Sequence, residues 1–597
     1  MSESNKVIPR EIYQNRMTAQ QAQAAQCQRQ HVLLGYFRLA LVIAGIVVAW
    51  FSFYQHLISR WWLLAIFALF VIAARRHSAV LQRKAEAERA IAFFERGIAR
   101  IEDRWAKLPA RAAEVNAAGT LFAEDLDLFR RGGLFELLNT ARTSAGDDAL
   151  ASWLLNPAGR DEILRRQGAI AELREIPELR EHLAACGEAD FEHLDIAALA
   201  QWASGAAPRI SGFWRWLSPL LVALTVAAAV RYLATNDGWL LLLMVMIDAT
   251  ITFSLLRTTQ TLFVNTERAS DSLKLASVLI AQWERQKFSS PLLNEFQRAL
   301  QLKDESASGA LVRLALLARM MEHRANFIVR VLDAPLLYSV QLAGAAQVWR
   351  SRHGTSLERW LRTLSQLEAL QSLATYSFEH PNDPFPAFAD GEPCFEAAAL
   401  GHLLIAEAKC VRNDVSLAGE TRLLLVSGSN MSGKSTLLRA VGINTVLAMA
   451  GAPVRAASLR MTPLRVGASI QVNDSLQEGR SRFYSEILRL RAICALAEEQ
   501  PPVLFLLDEL LDGTNSSDRL TGAKGIAHAL LASGAIGLIS THDLALTAIE
   551  EDAHALRNVH FEERIEDDEM HFDFKLRDGV VTTRNGVALM RMVGLKV

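Results

Sequence analysis

Four stretches of the chain are apolar on every face, and they come in two pairs. Residues 33–54 (LLGYFRLALVIAGIVVAWFSFY) are apolar apart from Arg38, and after QHLISR come residues 61–74 (WWLLAIFALFVIAA), closed by Arg75, Arg76 and His77. The second pair covers residues 217–234 and 239–256, split by TNDG. A helix rises about 1.5 Å per residue, so a run of about 18 residues reaches ~27 Å, close to the thickness of a bilayer core. No polar stripe lines these runs, as an amphipathic helix on a soluble core would require. The pattern predicts two transmembrane helical hairpins. Residues 61–74 make the shortest of the four spans.

Elsewhere the periodicity is helical over residues 91–196 and 259–374, with breaks at RRGGLF and LLNPAG. EHPNDPFPAFADGEP, residues 379–393, gathers prolines, glycine and aspartates and reads as a boundary. Beyond it RLLLV, VLFLLDE and AIGLIS are short apolar strands separated by helical segments, the alternation of a parallel α/β sheet. VHFEER, MHFDFKLRDG and VVTTR read as antiparallel strands, with IEDDE as a solvated turn. The expected organisation is an N-terminal segment 1–32, a hairpin 33–76, a helical region 77–212, a second hairpin 213–257, a helical region 258–378, a linker 379–395 and an α/β domain 396–597.

Composition and charge refine this picture. A chain of 597 residues with 51% hydrophobic residues is too long for one core and apolar for a purely soluble protein. The formal net charge of −2 provides no global field for nucleic acid or acidic lipid. The charge beside the apolar runs is more telling. Arg29, Arg38, Arg75, Arg76, Arg83 and Lys84 flank the first pair and Arg209, Arg215 and Arg257 the second, while the turns carry chiefly Arg60 and Arg231. By the positive-inside tendency, both hairpins have their ends in the cytoplasm, which places the protein in the inner membrane as a multi-pass chain. Asp248 sits inside the fourth run, where a charge is costly; a hydrogen-bonding role with Thr250 or Thr252 is expected, a functional relay being the alternative. Cys27, Cys186, Cys394, Cys410 and Cys494 are scattered and read as reduced thiols.

The chemistry lies after RLLLVS. GSNMSGKST, residues 428–436, satisfies G-x-x-x-x-G-K-[ST] through Gly428, Gly433, Lys434 and Ser435, between a strand and a helical segment. Ser429, Asn430, Met431, Ser432 and Thr436 complete the loop. Glycines let backbone N–H groups close around phosphates, and the helix N-terminus adds its positive end. Lys434 neutralises phosphate charge and the Ser435 hydroxyl ligates Mg2+. In VLFLLDELLDGTNSSD, Asp508 and Glu509 stand at the C-terminal end of a strand, where α/β sheets place ligand groups. Asp508 would hold Mg2+ through water and Glu509 would polarise the attacking water. LISTHD then ends another strand with His542, positioned to sense the γ-phosphate.

The order of P-loop, GRSRFYSEI, LLDE…GTNSSD and STHD resembles the ATPase of the MutS family, a branch of the ABC-type P-loop NTPases. Asn430, Met431, Ser432, Gly433, Lys434, Ser435 and Thr436 match that family's loop. Gly479, Arg480, Ser481 and Phe483 resemble its signature helix start. The resemblance implies ATP and Mg2+ as cofactors, and a homodimer with two composite sites in which Ser481 reaches the γ-phosphate bound by the other copy. CVRNDVSL, residues 410–417, resembles the stretch near adenine. Upstream, residues 133–157 are similar to the family's helical core, with Ala141 at its first threonine, and residues 360–381 to the lever joining that core to the ATPase.

Departures bear on the work done. The membrane hairpin and helix before Asp125 leave no room for mismatch-reading and connector domains, and the F-x-E patterns at Phe93 and Phe122 lie in helical stretches. The DNA-gripping clamp is not identifiable, and Arg519 stands where repair proteins usually have glycine. The chain stops at GVALMRMVGLKV, without the expected dimerisation tail or an appended nuclease. Two functions remain open. One is a membrane-anchored MutS-like ATPase that binds DNA through its helical levers and clamps when ATP closes the dimer. The other is an ABC-like membrane mechanoenzyme without a DNA role, whose ATP cycle moves the hairpins or a partner.

Overall fold

A computed structural model describes residues 8–55, 57, 59, 61–108, 119–186, 196–205, 211–261, 270–302, 305–429, 432–470, 482–512, 514–543, 545–547, 555–566 and 569–581. Its N-terminal two-thirds is helical, and its C-terminal part carries mixed α/β sheets.

Helix α1 (Pro9–Phe53) opens with proline in its first turn, where the ring's fixed φ suits a helix and the missing N–H costs nothing. It runs without a break through residue 32, so the expected N-terminal segment and the first apolar run share one helix. Helix α2 (Trp61–Ile101) likewise continues well past the apolar residues 61–74 and pairs antiparallel with α1. The distal half of this hairpin exposes its apolar side chains. Where the apolar surface gives way to polar sequence, His77 bridges the helices, its Nε2 2.7 Å from Nδ1 of His31 and its Nδ1 2.7 Å from Nη1 of Arg38. The proximal half packs on the rest of the protein. Tyr13, Phe93 and Phe94 form an aromatic cluster with Phe378, so the Phe93 of the F-x-E pattern serves packing.

Five short helices follow: α3 (Leu134–Leu138), α4 (Ser144–Leu155), α5 (Arg160–Leu173), α6 (Pro177–Ala185) and α7 (Ile196–Ser204). The second apolar hairpin is α8 (Phe213–Thr235) and α9 (Trp239–Thr261), turned by Asn236 in the left-handed region at φ 57°. Trp216 and Leu233 on it are 83% and 84% exposed, whereas Asp248 is buried against α8. Its partner there differs from the expectation. Thr225 of α8 donates to the Asp248 carboxylate at 2.7 Å, while Thr250 donates to its own helix and Thr252 makes no hydrogen bond among the described residues. Thr250 rises along the wrong face of α9; the facing helix supplies the donor.

Helices α10 (Ser270–Arg285), α11 (Pro291–Leu300), α12 (Ala307–Glu322) and α13 (Phe327–Asp333) lead to α14 (Tyr338–Glu379), which sets off at 85° from α13. Most of the lower half of α14 is buried, with Trp360, Leu364, Leu370 and Leu373 in a core shared with α4, α5, α10 and α12. Thr143 caps α4 by accepting from the N–H of Gly146, and Glu368 of α14 accepts from the N–H groups of Arg142 and Thr143 and from the Thr143 hydroxyl. Burial pushes the Glu368 carboxyl up to about 7, against the pull of those donors.

The segment expected to be a linker is packed instead. Arg100 of α2 makes a two-pronged ion pair with buried Glu379 at the end of α14, 2.6 Å in each arm, and Tyr13 donates to the same carboxylate. Four residues on, Asp383 accepts from Tyr376 at 2.5 Å and from Arg455 at 3.1 Å, all three buried. A chain carrying buried carboxylates must place cations around them, and that fixes the segment.

The C-terminal part holds two sheets. Strands β1 (Ala387–Phe388), β2 (Phe395–Leu400), β3 (Asn413–Leu417) and β5 (Ser458–Met461) order as β1-β5-β2-β3. The larger sheet uses β4 (Leu423–Ser427), β6 (Arg465–Ser469), β7 (Val503–Leu507), β8 (Ile536–Thr541), β9 (Leu556–Glu566) and β10 (Glu569–Asp578), ordered β10-β9-β4-β8-β7-β6. It is parallel apart from the β9–β10 hairpin. Helices α15 (Lys434–Ala450), α16 (Arg482–Ala497) and α17 (Ser516–Ala532) cover it, and β4, β7 and β8 are buried throughout, matching their unbroken apolar sequences. Of VVTTR, the described residues are Val580 and Val581, and they are not in a strand. Helix α15 approaches the helical region closely at Gly442, where any β-carbon would lie 2.6 Å from Leu126. The two regions thus share one core.

Candidate nucleotide site

The site forms where β4, β7 and β8 end side by side. Strand β4 runs into the loop, and Gly428 and Gly433 take φ of 152° and 105°, backbone that a side chain resists. Gly433 is the residue before α15, so Lys434 and Ser435 open that helix and its N-terminal N–H groups face the loop. Lys434 is buried, and its Nζ donates to the carbonyls of Gly428 and Ser429 at 2.9 and 2.8 Å. Burial pulls its pKa below the usual lysine value, opposed by the charges of Glu509, Asp508 and Glu563.

Strand β7 delivers the acidic pair. The Ser435 hydroxyl donates to Oδ2 of Asp508 at 2.5 Å, bringing together the two residues expected to hold Mg2+. Glu509 has a φ of 48°, rare for a residue with a side chain, and its N–H donates to the Ser540 hydroxyl at 3.1 Å. Its carboxylate lies 3.9 Å from Nζ of Lys434 and 3.5 Å from Nδ1 of His542 at the end of β8. His542 is 42% exposed at its side chain and also approaches Asp512 at 3.9 Å. Lys434, Ser435, Asp508, Glu509 and His542 therefore converge. Asn430, Met431 and Ser481 lie outside the described residues, as do Gly479 and Arg480. Thr436 follows Ser435 in the first turn of α15, and the Ser429 hydroxyl donates to Glu563 of β9.

Ser540, Glu486 and Phe574 were not singled out from the sequence, and Arg519 was noted there only as a departure from the family pattern. Ser540 donates to Oδ1 of Asp508 while receiving the Glu509 N–H, so it holds both acidic residues. Its position two residues before His542 was the available signal. Buried Glu486 of α16 accepts the N–H of Leu511 at 2.7 Å, and Arg519 donates to the carbonyls of Asp512 and Thr514 and pairs with Asp512. Phe574, at a φ of 54°, sits 3.2 Å from where a β-carbon on Gly433 would be, and its carbonyl accepts from Asn413 in the stretch thought to lie near adenine.

The donor set suits a nucleotide triphosphate with Mg2+. The buried Ser432 hydroxyl makes no hydrogen bond among the described residues, a lysine and a helix N-terminus face one loop, and a serine hydroxyl and one carboxylate meet. Mg2+ is commonly held by one or two such groups with phosphate oxygens completing its shell. A site built wholly from protein ligands would need more, and no cluster of three acidic, histidine or cysteine side chains fit for a metal occurs among the described residues.

Comparison with known proteins agrees with this geometry. Residues 424–596 match the family described as MutS domain V. The DNA mismatch repair protein MutS 2 of Halobacterium salinarum is 34% identical over 239 residues, which is 39% of this chain and 27% of that protein. The DNA mismatch repair protein MutS of Shouchella clausii is 34% identical over 199 residues, 32% of this chain and 22% of that protein. The corresponding protein of Staphylococcus saprophyticus is 31% identical over 251 residues, 40% of this chain and 27% of that one. The matched stretch thus spans about a quarter of the length of these relatives. With the loop and the acidic strand end inside the matched stretch, residues 424–596 are a MutS domain V.

Proposed function

We propose that the protein is a membrane-anchored, Mg2+-dependent ATPase that works as a dimer with composite sites. The observation that carries the ATPase reading is the convergence of Lys434, Ser435, Asp508 and Glu509. Gly428, Ser429, Ser432, Gly433 and Thr436, with Asn430 and Met431, would cradle the phosphates through backbone N–H groups, and Lys434 would turn its ammonium from the loop carbonyls to them. Ser435 and Asp508 would hold Mg2+, which would supply positive charge against the phosphates. The Glu509 carboxylate orients the attacking water and accepts its proton, and His542 beside it contacts the γ-phosphate. Ser481 of a second copy completes each site.

The membrane reading is supported by four helices long and apolar enough to cross a bilayer, with their apolar surfaces exposed. The names of the relatives point to DNA mismatch repair, and DNA is the first candidate for what the ATP cycle acts on. A second reading, a mechanoenzyme acting on the membrane or a protein without DNA, is favoured by the Arg100–Glu379 ion pair, which ties the first hairpin to the junction between lever and ATPase domain. ATP hydrolysis by the full chain in detergent, measured with and without homoduplex and mismatched DNA across salt, separates them. DNA binding should stimulate turnover and fall with salt, since phosphate contacts release counterions. Basal ATPase without any salt-sensitive DNA effect would leave the mechanoenzyme reading.

A further inference from the structure

The second hairpin enters the helical region beside a cavity of about 570 Å3. Trp214 and Arg215 of α8, Arg313 and Leu316 of α12, and Arg352 and His353 of α14 line it. Cations and apolar carbon therefore share one wall. Arg313 pairs with Glu305, the acidic group facing this region, which leaves its charge neutralised. Arg215 and Arg352 make no ion pair or hydrogen bond among the described residues. His353 is 7% exposed; its Nε2 lies 3.5 Å from Glu305, and its Nδ1 is buried without a hydrogen-bond partner among the described residues. His353 lines the cavity beside these two guanidinium groups, with its Nδ1 turned away from the open space.

The surroundings limit what could fill that space. Leu316 is exposed, and so are Trp216 and Leu220 on the neighbouring stretch of α8. Helix α13, which joins the two helices that line the cavity, presents Phe327, Ile328, Val331 and Leu332 to the outside. Arg215 stands at the start of α8, where a positive side chain belongs at a cytoplasmic membrane face. A ligand for this place needs an anionic head of phosphate geometry, which guanidinium groups match in a fork, and an apolar tail.

We propose that the cavity binds an anionic phospholipid. Its phosphate rests against Arg215 and Arg352, and one acyl chain leaves past Leu316 along α8. The site rests on the membrane reading of the hairpins, and it would make lipid a structural ligand of the helical region from which lever α14 springs.

The test is native mass spectrometry of the full chain purified in detergent and titrated with phosphatidylglycerol or with phosphatidylcholine of the same acyl chains. One phosphatidylglycerol per chain should be retained, with phosphatidylcholine about tenfold weaker. Arg215→Ala with Arg352→Ala should abolish that preference. Leu316→Glu, at an exposed position that leaves folding undisturbed, should do the same by repelling the phosphate. Equal retention of both lipids, or an unchanged preference in Leu316→Glu, overturns the proposal. Competition with inorganic phosphate separates the sources: displacement of the lipid by millimolar phosphate would mean a plain phosphate site and also overturn it. Carbonate extraction of membranes from the same cells keeps the two readings apart. Release of wild type into the supernatant defeats the membrane reading, while a membrane-retained protein without lipid preference defeats this inference alone.

Discussion

Ser540 is the residue on which the geometry of the candidate site turns. It receives the Glu509 N–H and donates to Asp508, so one hydroxyl fixes together a strained backbone and the carboxylate proposed to hold Mg2+. Ser540→Ala should lower the turnover number about 10- to 100-fold, the usual cost of losing a group that orients a metal ligand, with nucleotide affinity falling far less. Glu509→Ala should keep ATP binding and lower turnover by about 100-fold or more, whereas Lys434→Ala should abolish binding. Fluorescent-nucleotide binding alongside steady-state hydrolysis checks all three, and normal turnover in Glu509→Ala would remove its assigned role. Glu368 offers a test of pH. Its folded carboxyl is raised from 4.5 to about 7, so the folded chain holds a proton that the unfolded chain releases. Stability from this group is complete below the unfolded value and is lost as pH rises from about 4.5 to 7, by at most ~3 kcal/mol. Glu368→Gln should flatten that part of the pH profile of thermal unfolding; an unchanged slope would show that another group sets it. The loop, the Asp508–Glu509 pair and His542 were legible in sequence because phosphate chemistry demands particular residues in contiguous stretches. Ser540, Glu486 and Phe574 were not, because strand pairing and helix packing bring them in from separate places.

Among the elements, the first hairpin carries the strongest argument. Its polar halves reach from the apolar zone to the end of α14, where Arg100 meets Glu379 inside the protein. Removing one member of a buried pair leaves the other charge without compensation, typically about 3–5 kcal/mol. Arg100→Met should therefore lower the unfolding temperature and open the α2–α14 contact to protease, while Arg100→Met with Glu379→Met should recover much of the loss. Failure of the double substitution to recover stability would mean that the pair positions its neighbours beyond balancing charge. The extent of α1 and α2 was invisible in the sequence for a physical reason: the apolar runs mark only the distal stretch, and in the polar part of α1 only Pro9, Tyr13 and Cys27 are buried, too few to make a stripe. The packed junction was missed for the opposite reason. Its prolines and aspartates resemble a loop, yet Asp383 is buried against Tyr376 in the last turns of α14 and against Arg455, which is far along the chain. Strands β4, β7 and β8 were read correctly because each is apolar from end to end. Strand β6, RVGAS, was not, since small residues carry little strand signal.

For the whole molecule, the decisive question is whether one copy suffices. Within a single chain, the loop, the acidic pair and His542 gather on one side of the nucleotide site. The resemblance at residues 479–483 implies that Ser481 acts across an interface, where a hydroxyl would meet the γ-phosphate only when two copies close on it. Hydrolysis opens such a dimer, so a variant that binds ATP without cleaving it should hold the closed form. Glu509→Ala in detergent with ATP and Mg2+ should double in mass by light scattering, after subtraction of the micelle, and return to its starting mass when EDTA removes Mg2+. Adding Ser481→Arg, which places a bulky cation where the serine would approach phosphate, should prevent the doubling while leaving nucleotide binding to the loop intact. Doubling that persists in the Ser481→Arg background would place the dimer contact elsewhere, with each site complete in its own chain. No doubling in Glu509→Ala itself, under saturating ATP, would make the protein a monomeric ATPase. In that case the mechanical coupling would run only from the nucleotide loop through α14 to the apolar hairpins of the same chain.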